Sequence, residues 1–302
     1  KIMHASLATS PGIVRRFNRE VQASCALRHP NIVSVQGFGQ TDDGTPCFFM
    51  ELLVGKDLAA LIQEHVTAKK QMPWQQVAYI SMKVFEGLAA AHALDIIHRD
   101  MKPENIFVQI SATGYDPKIM DFGVAKCLFD EEGQAMTSLT LDNRIFGTPP
   151  YMSPEQAGDP RLADARSDLY SVGFIMFEML TGMLPFGDPK QDTLVGLLMK
   201  HAKDERPDVR PYITDPSCPP GFLDLVTRLM RRKPEDRPQT ALEVAKELSG
   251  FLGLQRLTPL DLGSQPVSSA ASTNASVAPT TFDGYAPSRA KASRRGMLVS
   301  AV

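Results

Sequence analysis

The spacing of apolar residues predicts a short first part, with one helix and a pair of strands, and a longer part made mainly of helices. Apolar residues recur at helical spacing between charged ones over residues 11–28, and HPN at 29–31 ends that pattern. The apolar runs at 32–38 and 47–53 flank the turn-forming sequence TDDGTP, so they predict an antiparallel hairpin. We interpret residues 1–53 as the remnant of a small sheet domain.

Long helices dominate from Asp57 onward. They are predicted over residues 57–66, 74–93, 168–180, 192–202, 221–231 and 240–251. Between the second and third of these helices, the short strands NIFVQI (105–110) and PKIMDF (117–122) are joined by the turn SATGYDP, and polar residues cluster at their ends. The sequence therefore predicts a second, larger and mainly helical unit over residues 54–255.

The composition changes at about Thr258. Residues 256–302 are rich in Ser, Ala, Thr and Pro and have little to bury, which predicts an unfolded linker. Near its end four basic residues precede the apolar sequence GMLVSAV; they are Arg289, Lys291, Arg294 and Arg295. One interpretation is a cytoplasmic juxtamembrane segment, with a membrane helix that starts near Gly296 and continues past residue 302. The other is a disordered tail that ends in apolar residues by chance.

Charge and cysteine content narrow the class of protein. The chain has 32 Lys and Arg against 34 Asp and Glu, a formal charge of -2, so nothing points to nucleic acid as a partner. The four cysteines form no C-x-x-C pair, which argues against disulfides and a zinc site and favours the reducing cytoplasm. The apolar run at 170–180 is too short to span a membrane and predicts a buried helix.

Two polar segments carry most of the chemistry: HRDMKPEN at 98–105 and DFG at 121–123. Both lie at strand ends, so the carboxylates of Asp100 and Asp121 and the ammonium of Lys102 can converge on one point. Such convergence suits phosphoryl transfer, where catalysis depends on aligning a hydroxyl, a γ-phosphate and magnesium and on neutralising charge. Together the two segments resemble the catalytic loop and the metal-binding triplet of protein kinases.

This resemblance implies ATP and Mg²⁺ as cofactors and a role for each residue. Asp100 is expected to be the general base that takes the proton of the substrate hydroxyl. Lys102 is expected to contact the γ-phosphate, and a lysine here resembles the Ser/Thr branch of the family. Asn105 and Asp121 offer hard oxygen ligands that suit magnesium.

The first residues resemble the part of a kinase in which a strand lysine pairs with a helix glutamate and aligns the α- and β-phosphates. Lys1 and Glu20 match that pair in separation, so both are expected at the nucleotide. The Gly-rich phosphate loop of the family precedes this lysine, and we interpret the chain as truncated before it. We therefore expect this 302-residue chain to be weakly active or inactive, and a version extended upstream to be active.

The strand that ends in FFMELL resembles the hinge between the two kinase lobes, where adenine binds. Backbone groups of Glu51 and Leu53 are expected to hydrogen-bond the base, and Met50 is expected to line the pocket behind it. An apolar strand followed by a glycine is also a common structural pattern.

Residues 121–155 resemble an activation segment, which ends in GTPPYMSPE at 147–155. Ser153 replaces the alanine of the commoner A-P-E sequence. Thr148 stands where Ser/Thr kinases have a threonine that contacts the base and the lysine, so it is expected to help select a hydroxyl substrate.

Other motif residues are expected to have structural roles. Glu155 is expected to pair with Arg237 in a buried link, and Asp168 to anchor the backbone of the catalytic loop. His98 and Phe122 are interpreted as packing residues that hold the two motif segments in place.

Three hydroxyl residues in the middle of the activation segment, Thr137, Ser138 and Thr140, are candidates for autophosphorylation, with Thr140 favoured. A phosphate there would add about -1.5 to -2 charges, which Arg99 could bind to order the segment. The alternative is that this is only a polar loop. Trans-autophosphorylation would make a kinase dimer a partner.

The motifs resemble those of the eukaryotic-type Ser/Thr kinases of bacteria, which implies an α+β, two-lobed kinase-like fold with an incomplete sheet lobe and a helical lobe. The implied reaction is transfer of the ATP γ-phosphate to Ser or Thr of protein substrates in the cytoplasm. A kinase of small molecules is disfavoured by GTPPYMSPE, which serves to hold a polypeptide. A non-catalytic scaffold or an inactive fragment is the other alternative.

Overall fold

The computed structural model describes residues 25–42, 45–111, 114–122, 149–187 and 193–253. Within them the strands are β1 (Val35–Gln40), β2 (Pro46–Met50), β3 (Gly55–Asp57), β4 (Ile106–Ser111) and β5 (Gly114–Ile119). The α-helices are α1 (Leu58–Thr67), α2 (Trp74–His92), α3 (Pro154–Gly158), α4 (Ala165–Thr181), α5 (Leu194–Lys203), α6 (Pro220–Leu229) and α7 (Ala241–Phe251). The predicted helix at 11–28 lies outside the described residues apart from its last few.

Most of the described α-helices begin at a residue whose side chain caps them; α2 and α6, which follow Pro73 and Pro219, do not. Asp57 accepts a hydrogen bond from the Ala60 backbone N–H at 2.7 Å, and Asp164, Thr193 and Thr240 cap α4, α5 and α7 in the same way. The predicted helices agree with the observed ones to within three residues at each end. Helix α4 differs most, because it begins at Ala165, directly after its cap, rather than at Asp168.

The described strands form two antiparallel sheets. β1 pairs with β2 as the predicted hairpin, with Phe38 opposite Phe48, and β3, β4 and β5 form a second sheet in that order. The β3 strand was missed by the sequence analysis. A Cβ on Gly55 would lie 2.3 Å from the Val108 carbonyl oxygen, so only glycine allows this strand to approach β4.

The second strand of the predicted pair was placed wrongly. The sequence predicted it over residues 117–122, but β5 ends at Ile119, and its pairing with β4 already begins at Ser111 opposite Gly114. Pro117 lies inside β5, where a residue without an N–H is tolerated because β5 is at the edge of this sheet. The motif residue Asp121 therefore follows the strand instead of lying within it.

One apolar core joins the strands to the helical part. α2, α4, α6 and α7 bury their apolar faces against one another, and Ile106, Val108 and Ile119 extend this core under the catalytic loop. α4 and α6 approach closely at Gly173, where a Cβ would lie 2.7 Å from the Leu229 Cβ. The run at 170–180 is the buried helix that was predicted. Among the described residues, none of the helices has the length and apolar character needed to cross a bilayer.

Candidate active site

Residues 98–105, which we call the catalytic loop after the resemblance, lie between α2 and β4. One buried carboxylate fixes the backbone of this loop. Asp168 on α4, only 1% exposed, accepts hydrogen bonds from the backbone N–H groups of His98 at 2.9 Å and Arg99 at 2.8 Å. His92 at the end of α2 contacts the same carboxylate at 2.8 Å. The structure thus shows the anchoring contact that was predicted for Asp168.

Lys102 and Asn105 both contact Asp100 within the loop. The ammonium Nζ of Lys102 lies 3.1 Å from Oδ2 of Asp100. Asn105 donates from Nδ2 to the Asp100 backbone carbonyl at 2.8 Å and to its Oδ2 at 3.2 Å. Asn105 is buried, whereas the side chains of Asp100 and Lys102 are partly exposed. The loop therefore presents a carboxylate and an ammonium to the surface, and the buried Asn105 holds the carboxylate in place.

Backbone hydrogen bonds bring the strand end before Asp121 against the same loop. The Met120 N–H donates to the Asn105 carbonyl at 2.8 Å, and Nε2 of His98 lies 2.7 Å from the Met120 carbonyl. Since a carbonyl only accepts, Nε2 of His98 carries the hydrogen, and its Nδ1 accepts from the Asp100 N–H at 3.3 Å. His98 therefore links the residue before Asp121 to Asp100.

The two packing residues of the sequence analysis contact each other. The rings of His98 and Phe122 meet edge to face with centroids 4.8 Å apart, and both are buried. Arg99 and Asp121 adopt φ values of 66° and 63°, a left-handed conformation that costs energy outside glycine. Strain of this kind persists where surrounding contacts enforce it, and here it falls at Asp121 itself and at the residue before Asp100.

The donor set fits a hard divalent cation whose shell is completed by other groups. Asn105 uses its amide nitrogen on Asp100 and keeps its amide oxygen as a ligand type, and Asp121 carries carboxylate oxygens of the same hard kind. Nowhere in the described ranges do three or more His, Cys, Asp or Glu side chains gather to hold a metal by themselves. Magnesium usually binds through one or two carboxylates together with phosphates and water.

The candidate hinge residues lie at the end of β2 and directly after it, and the backbone N–H of Glu51 already has a partner. Its N–H is already bonded to the Ser34 carbonyl at 3.0 Å, so only its carbonyl could contact a base. Its carboxylate accepts from the Ser34 N–H at 2.8 Å and lies 3.2 Å from the Lys118 ammonium on β5. Met50 ends β2 half-buried, and Leu53 follows in the loop before β3.

The end of the activation-type segment is held against the catalytic loop. Ser153 and Gln156 form a capping box at the start of α3. The Ser153 side chain accepts from the Gln156 N–H, and the Gln156 side chain accepts from the Ser153 N–H. Gln156 also donates from Nε2 to the Arg99 carbonyl at 2.8 Å, next to Asp100. Tyr151 donates to Glu178 at 2.5 Å, and burial raises the pKa of both groups.

The predicted link between Glu155 and Arg237 is present and bidentate. Arg237 donates to the two carboxylate oxygens at 2.7 and 2.8 Å, and Ser167 donates to the same carboxylate at 2.7 Å. The Arg237 side chain is 0% exposed and also binds backbone carbonyls, including that of Arg166. This set of contacts joins α3, the start of α4 and the segment after α6.

Glu155→Gln is expected to destabilise the fold by about 2–3 kcal/mol at neutral pH, because it removes a charged acceptor from a buried guanidinium. Burial alone would raise the pKa of Glu155, but Arg237 outweighs it, so the pKa lies below its ordinary value. The stabilisation is therefore complete above the ordinary glutamate pKa of about 4.3 and is lost as the pH falls through the lower folded-state pKa. Urea unfolding from pH 7 down to about 3.5 measures this.

In that experiment the difference in the free energy of unfolding between the unaltered chain and Glu155→Gln should become smaller as the pH falls. Glu235→Gln, an exposed acid on the turn just before Arg237, is the matched control and should change stability little. A difference that stays constant over this pH range contradicts the assignment.

Several site residues predicted from the sequence lie outside the described residues. They are Lys1, Glu20, Thr137, Ser138, Thr140 and Thr148. Their roles remain predictions from the resemblance.

Two residues that the sequence analysis did not single out support the catalytic loop, Gln156 by contacting it and His92 through Asp168. His92 supports Asp168, and nothing in the local sequence distinguishes it from any other residue in the last turn of a helix. Gln156 could have been found, because Ser153 followed three residues later by Gln156 is the signature of a capping box.

Comparison with known proteins agrees with this geometry. The profile of the protein kinase domain family matches residues 1–248. Serine/threonine-protein kinase Pkn3 of Myxococcus xanthus is 38% identical over 252 residues, which cover 82% of this chain and 44% of that protein. PrkC of Bacillus subtilis, also named a serine/threonine-protein kinase, is 32% identical over 257 residues, covering 85% and 37%.

A solved structure shows the same fold. The crystal structure of the Mycobacterium tuberculosis PknI kinase domain superposes with a TM-score of 0.61 at 21% identity and covers 83% of this chain and 84% of that one. The chain belongs to the protein kinase domain family, and its α+β fold is the protein kinase fold. It spans less than half the length of these two curated relatives.

Proposed function

We propose that this chain is the catalytic domain of a protein Ser/Thr kinase. The observation that carries the proposal is the convergence of Lys102 and Asn105 on Asp100, each within 2.8–3.2 Å of it. The loop that holds them is bonded directly to Met120, the residue before Asp121. Kinases of this family use ATP and a divalent metal ion, and we assign Mg²⁺ because the oxygen donors of Asn105 and Asp121 suit it.

Each residue of the loop has a distinct task in the proposed reaction. Asp100, held by Asn105, orients the acceptor hydroxyl and receives its proton as that oxygen bonds to the γ-phosphorus and the bond from this phosphorus to the departing ADP breaks. Lys102, beside Asp100, neutralises charge that develops on the transferred phosphoryl group. Asn105 and Asp121 would hold the metal ion, which when bound neutralises the phosphate oxygens. Lys1, Glu20 and the hinge residues Met50, Glu51 and Leu53 are assigned to the nucleotide.

The proposed substrate is a polypeptide with a Ser or Thr acceptor. Lys102 resembles the Ser/Thr branch, and Thr148 is assigned to contact Asp100 and Lys102 and so to favour these hydroxyls. Pkn3 and PrkC are both named serine/threonine-protein kinases, which supports the same acceptor. The segment that holds a polypeptide in this family includes the Pro149–Tyr151 turn, which leads into α3 against the loop.

We also propose regulation by autophosphorylation between residues 130 and 146, with Thr140 favoured. Nε of Arg99 is buried, and within the described part of the chain no acceptor bonds it. A phosphate on the activation-type segment would supply that acceptor and a compensating charge. A dimer that phosphorylates in trans and a membrane helix that starts near Gly296 complete the proposal for the whole protein.

The proposal is tested with four peptides that differ only in the acceptor residue: Ser, Thr, Tyr or Ala. Each is incubated with MgATP and either this chain or a version extended upstream of Lys1, and mass spectrometry locates phosphate on peptide and protein. We expect phosphate on the Ser and Thr peptides and on the segment 130–146, and none on the Ala peptide. We expect the extended version to be the more active.

One outcome contradicts the kinase assignment, and another contradicts only the autophosphorylation. ATP binding by the extended version without transfer to any peptide would favour a non-catalytic scaffold. Transfer to the peptides with no phosphate on residues 130–146 would leave the kinase assignment intact and remove the autophosphorylation.

A further inference from the structure

Ser153, which replaces the alanine of the commoner A-P-E sequence, binds the side chain of Gln156. Ser153 is 0% exposed, and its backbone N–H and its hydroxyl both donate to Oε1 of Gln156, at 3.2 and 3.0 Å. At the other end of the same amide group, Nε2 donates to the Arg99 carbonyl at 2.8 Å. One side chain therefore joins the end of the activation-type segment to the residue before Asp100.

The partners of Gln156 allow only one orientation of its amide group. A backbone N–H only donates, so the N–H of Ser153 requires the amide oxygen opposite it. A carbonyl only accepts, so the carbonyl of Arg99 requires the amide nitrogen. The Ser153 hydroxyl, which alanine lacks, adds a second donor on the oxygen side. Ser153 thus directs the N–H of the Gln156 amide at Arg99.

The carbonyl that accepts from Gln156 belongs to the peptide unit that carries Asp100. Side chains bind both polar groups of this unit. Gln156 binds its carbonyl, and Nδ1 of His98 accepts from its N–H, which is that of Asp100, at 3.3 Å. Within the described ranges no second donor reaches the Arg99 carbonyl, so loss of Gln156 would leave this carbonyl without a protein partner.

Arg99 has a backbone conformation that needs support from its neighbours. Its φ of 66° is left-handed, which costs energy for a residue with a side chain. Asp168 binds its N–H at 2.8 Å, and Gln156 binds its carbonyl on the side that leads to Asp100. Without Gln156, the peptide unit could rotate to relieve the strain and would carry the Asp100 carboxylate with it.

We propose that Gln156 is a positioning residue for phosphate transfer and that Ser153 orients it. The Gln156 amide fixes the plane of the peptide unit before Asp100, and so the place of this carboxylate relative to the segment assigned to the polypeptide substrate. The inference rests on the proposed function, because it takes Asp100 as the base and this segment as the substrate site. Gln156 touches no reacting atom and acts through Asp100.

Gln156→Glu separates the two contacts of this side chain. A glutamate here still accepts from Ser153, because S-x-x-E is also a capping box, but when ionised at neutral pH it has no hydrogen for the Arg99 carbonyl. Gln156→Ala removes both contacts. In the version of the chain that phosphorylates peptides, each variant should lower kcat by roughly threefold to tenfold, the effect of one lost hydrogen bond, with both KM values unchanged.

Urea unfolding of the same variants distinguishes this role from a merely structural one. Gln156→Glu keeps the capping box and should unfold at the same urea concentration as the unaltered chain, whereas Gln156→Ala should unfold at a lower one. A structural role would lower kcat only where stability falls, that is, in Gln156→Ala. An unchanged kcat in Gln156→Glu would therefore overturn the inference.

Two further variants make the kinetic test specific. Gln63→Glu is the same substitution at an exposed residue of α1 and should change neither kcat nor stability appreciably. If Ser153 acts through Gln156, Ser153→Ala alone should lower kcat, and adding it to Gln156→Glu should cause no further fall. Additive losses in the double variant would contradict the orienting role of Ser153.

NMR tests the contact without any phosphate transfer. Arg is followed directly by Asp only once in the sequence, at Arg99 and Asp100. Protein labelled with ¹³C at arginine carbonyls and ¹⁵N at aspartate amides therefore gives one carbonyl–amide signal, and it comes from this peptide unit. Gln156→Glu and Gln156→Ala should both shift the carbonyl resonance upfield, as expected when a hydrogen bond to the oxygen is lost, and Gln63→Glu should leave it in place.

The two kinds of measurement keep this inference distinct from the proposed function. A carbonyl signal that stays in place in both Gln156 variants overturns the inference even if peptides are phosphorylated. A shifted signal with unchanged kcat shows that the contact exists but does not serve catalysis, which also overturns it. If no version phosphorylates any peptide, the proposed function fails and the positioning role fails with it, while the signal still decides whether Gln156 binds the Arg99 carbonyl.

Discussion

Asp100→Asn is expected to lower kcat for peptide phosphorylation by roughly 10²–10⁴-fold, the usual contribution of a positioned general base. The substitution keeps the size of the side chain and its ability to accept from Asn105, but it removes the charge that faces Lys102 at 3.1 Å and the group that takes the proton. Steady-state kinetics with a Ser peptide and MgATP measures the effect. KM for ATP should change little, because Asp100 is assigned to the hydroxyl and not to the nucleotide.

Asp95→Asn is the matched control. It makes the same change five residues upstream, at an exposed residue with a φ of 57°. Asparagine tolerates that conformation at least as well as aspartate, so stability and kcat should be unchanged. If Asp100→Asn retains more than about a tenth of the activity, the proton is taken by another group or transfer does not need a base, and the assignment is wrong.

The helical spacing of apolar residues was enough to predict most of the helices of this fold. α1 and α7 begin next to Asp57 and Thr240, whose side chains cap them, and such caps are visible in the sequence. The Glu155–Arg237 and Asp168 contacts were predicted because motif resemblance supplies partners that are 82 and 70 residues apart. Periodicity alone carries no such long-range information.

The strands were harder to predict because their bounds depend on pairing partners. β3 has three residues and exists because Gly55 lets it approach β4. β5 was shifted because Pro117 was interpreted as the start of a strand, whereas an edge position tolerates it within one. The Glu51 N–H bonds the Ser34 carbonyl, a pairing between segments that no local pattern encodes.

The polar contacts between helices, strands and loops could not be predicted from local sequence either. His98 was interpreted as a packing residue, and it does pack on Phe122, but its two ring nitrogens also join Asp100 to Met120. The contact between Gln156 and the Arg99 carbonyl likewise depends on how α3 lies against the catalytic loop. Such contacts follow from the packing of elements, which a single sequence does not specify.

Asp168→Asn is expected to destabilise the fold by about 3–5 kcal/mol and to abolish measurable phosphate transfer, because it removes a buried charge from three donors. The amide that replaces one oxygen would direct its own hydrogens at an N–H group of His98 or Arg99. Those two residues precede Asp100, so the catalytic loop would lose the contacts that fix its backbone. Urea unfolding and peptide kinetics on the same variant measure the two effects.

The pH dependence and a matched variant on the same helix separate this role from general damage to α4. Burial alone would raise the pKa of Asp168, but hydrogen bonds and charge from His92, together with the contacts at His98, hold it below its ordinary value. Its stabilisation is therefore complete at neutral pH and is lost as the pH falls through that lowered pKa.

Asp164→Asn is the matched control, because it changes the cap of the same helix. Asparagine caps almost as well as aspartate, and the pair with Arg166 is partly exposed, so the variant should cost under about 1 kcal/mol. Because the expected losses differ by several kcal/mol, similar stabilities for the two variants would show that the Asp168 carboxylate does not fix the catalytic loop.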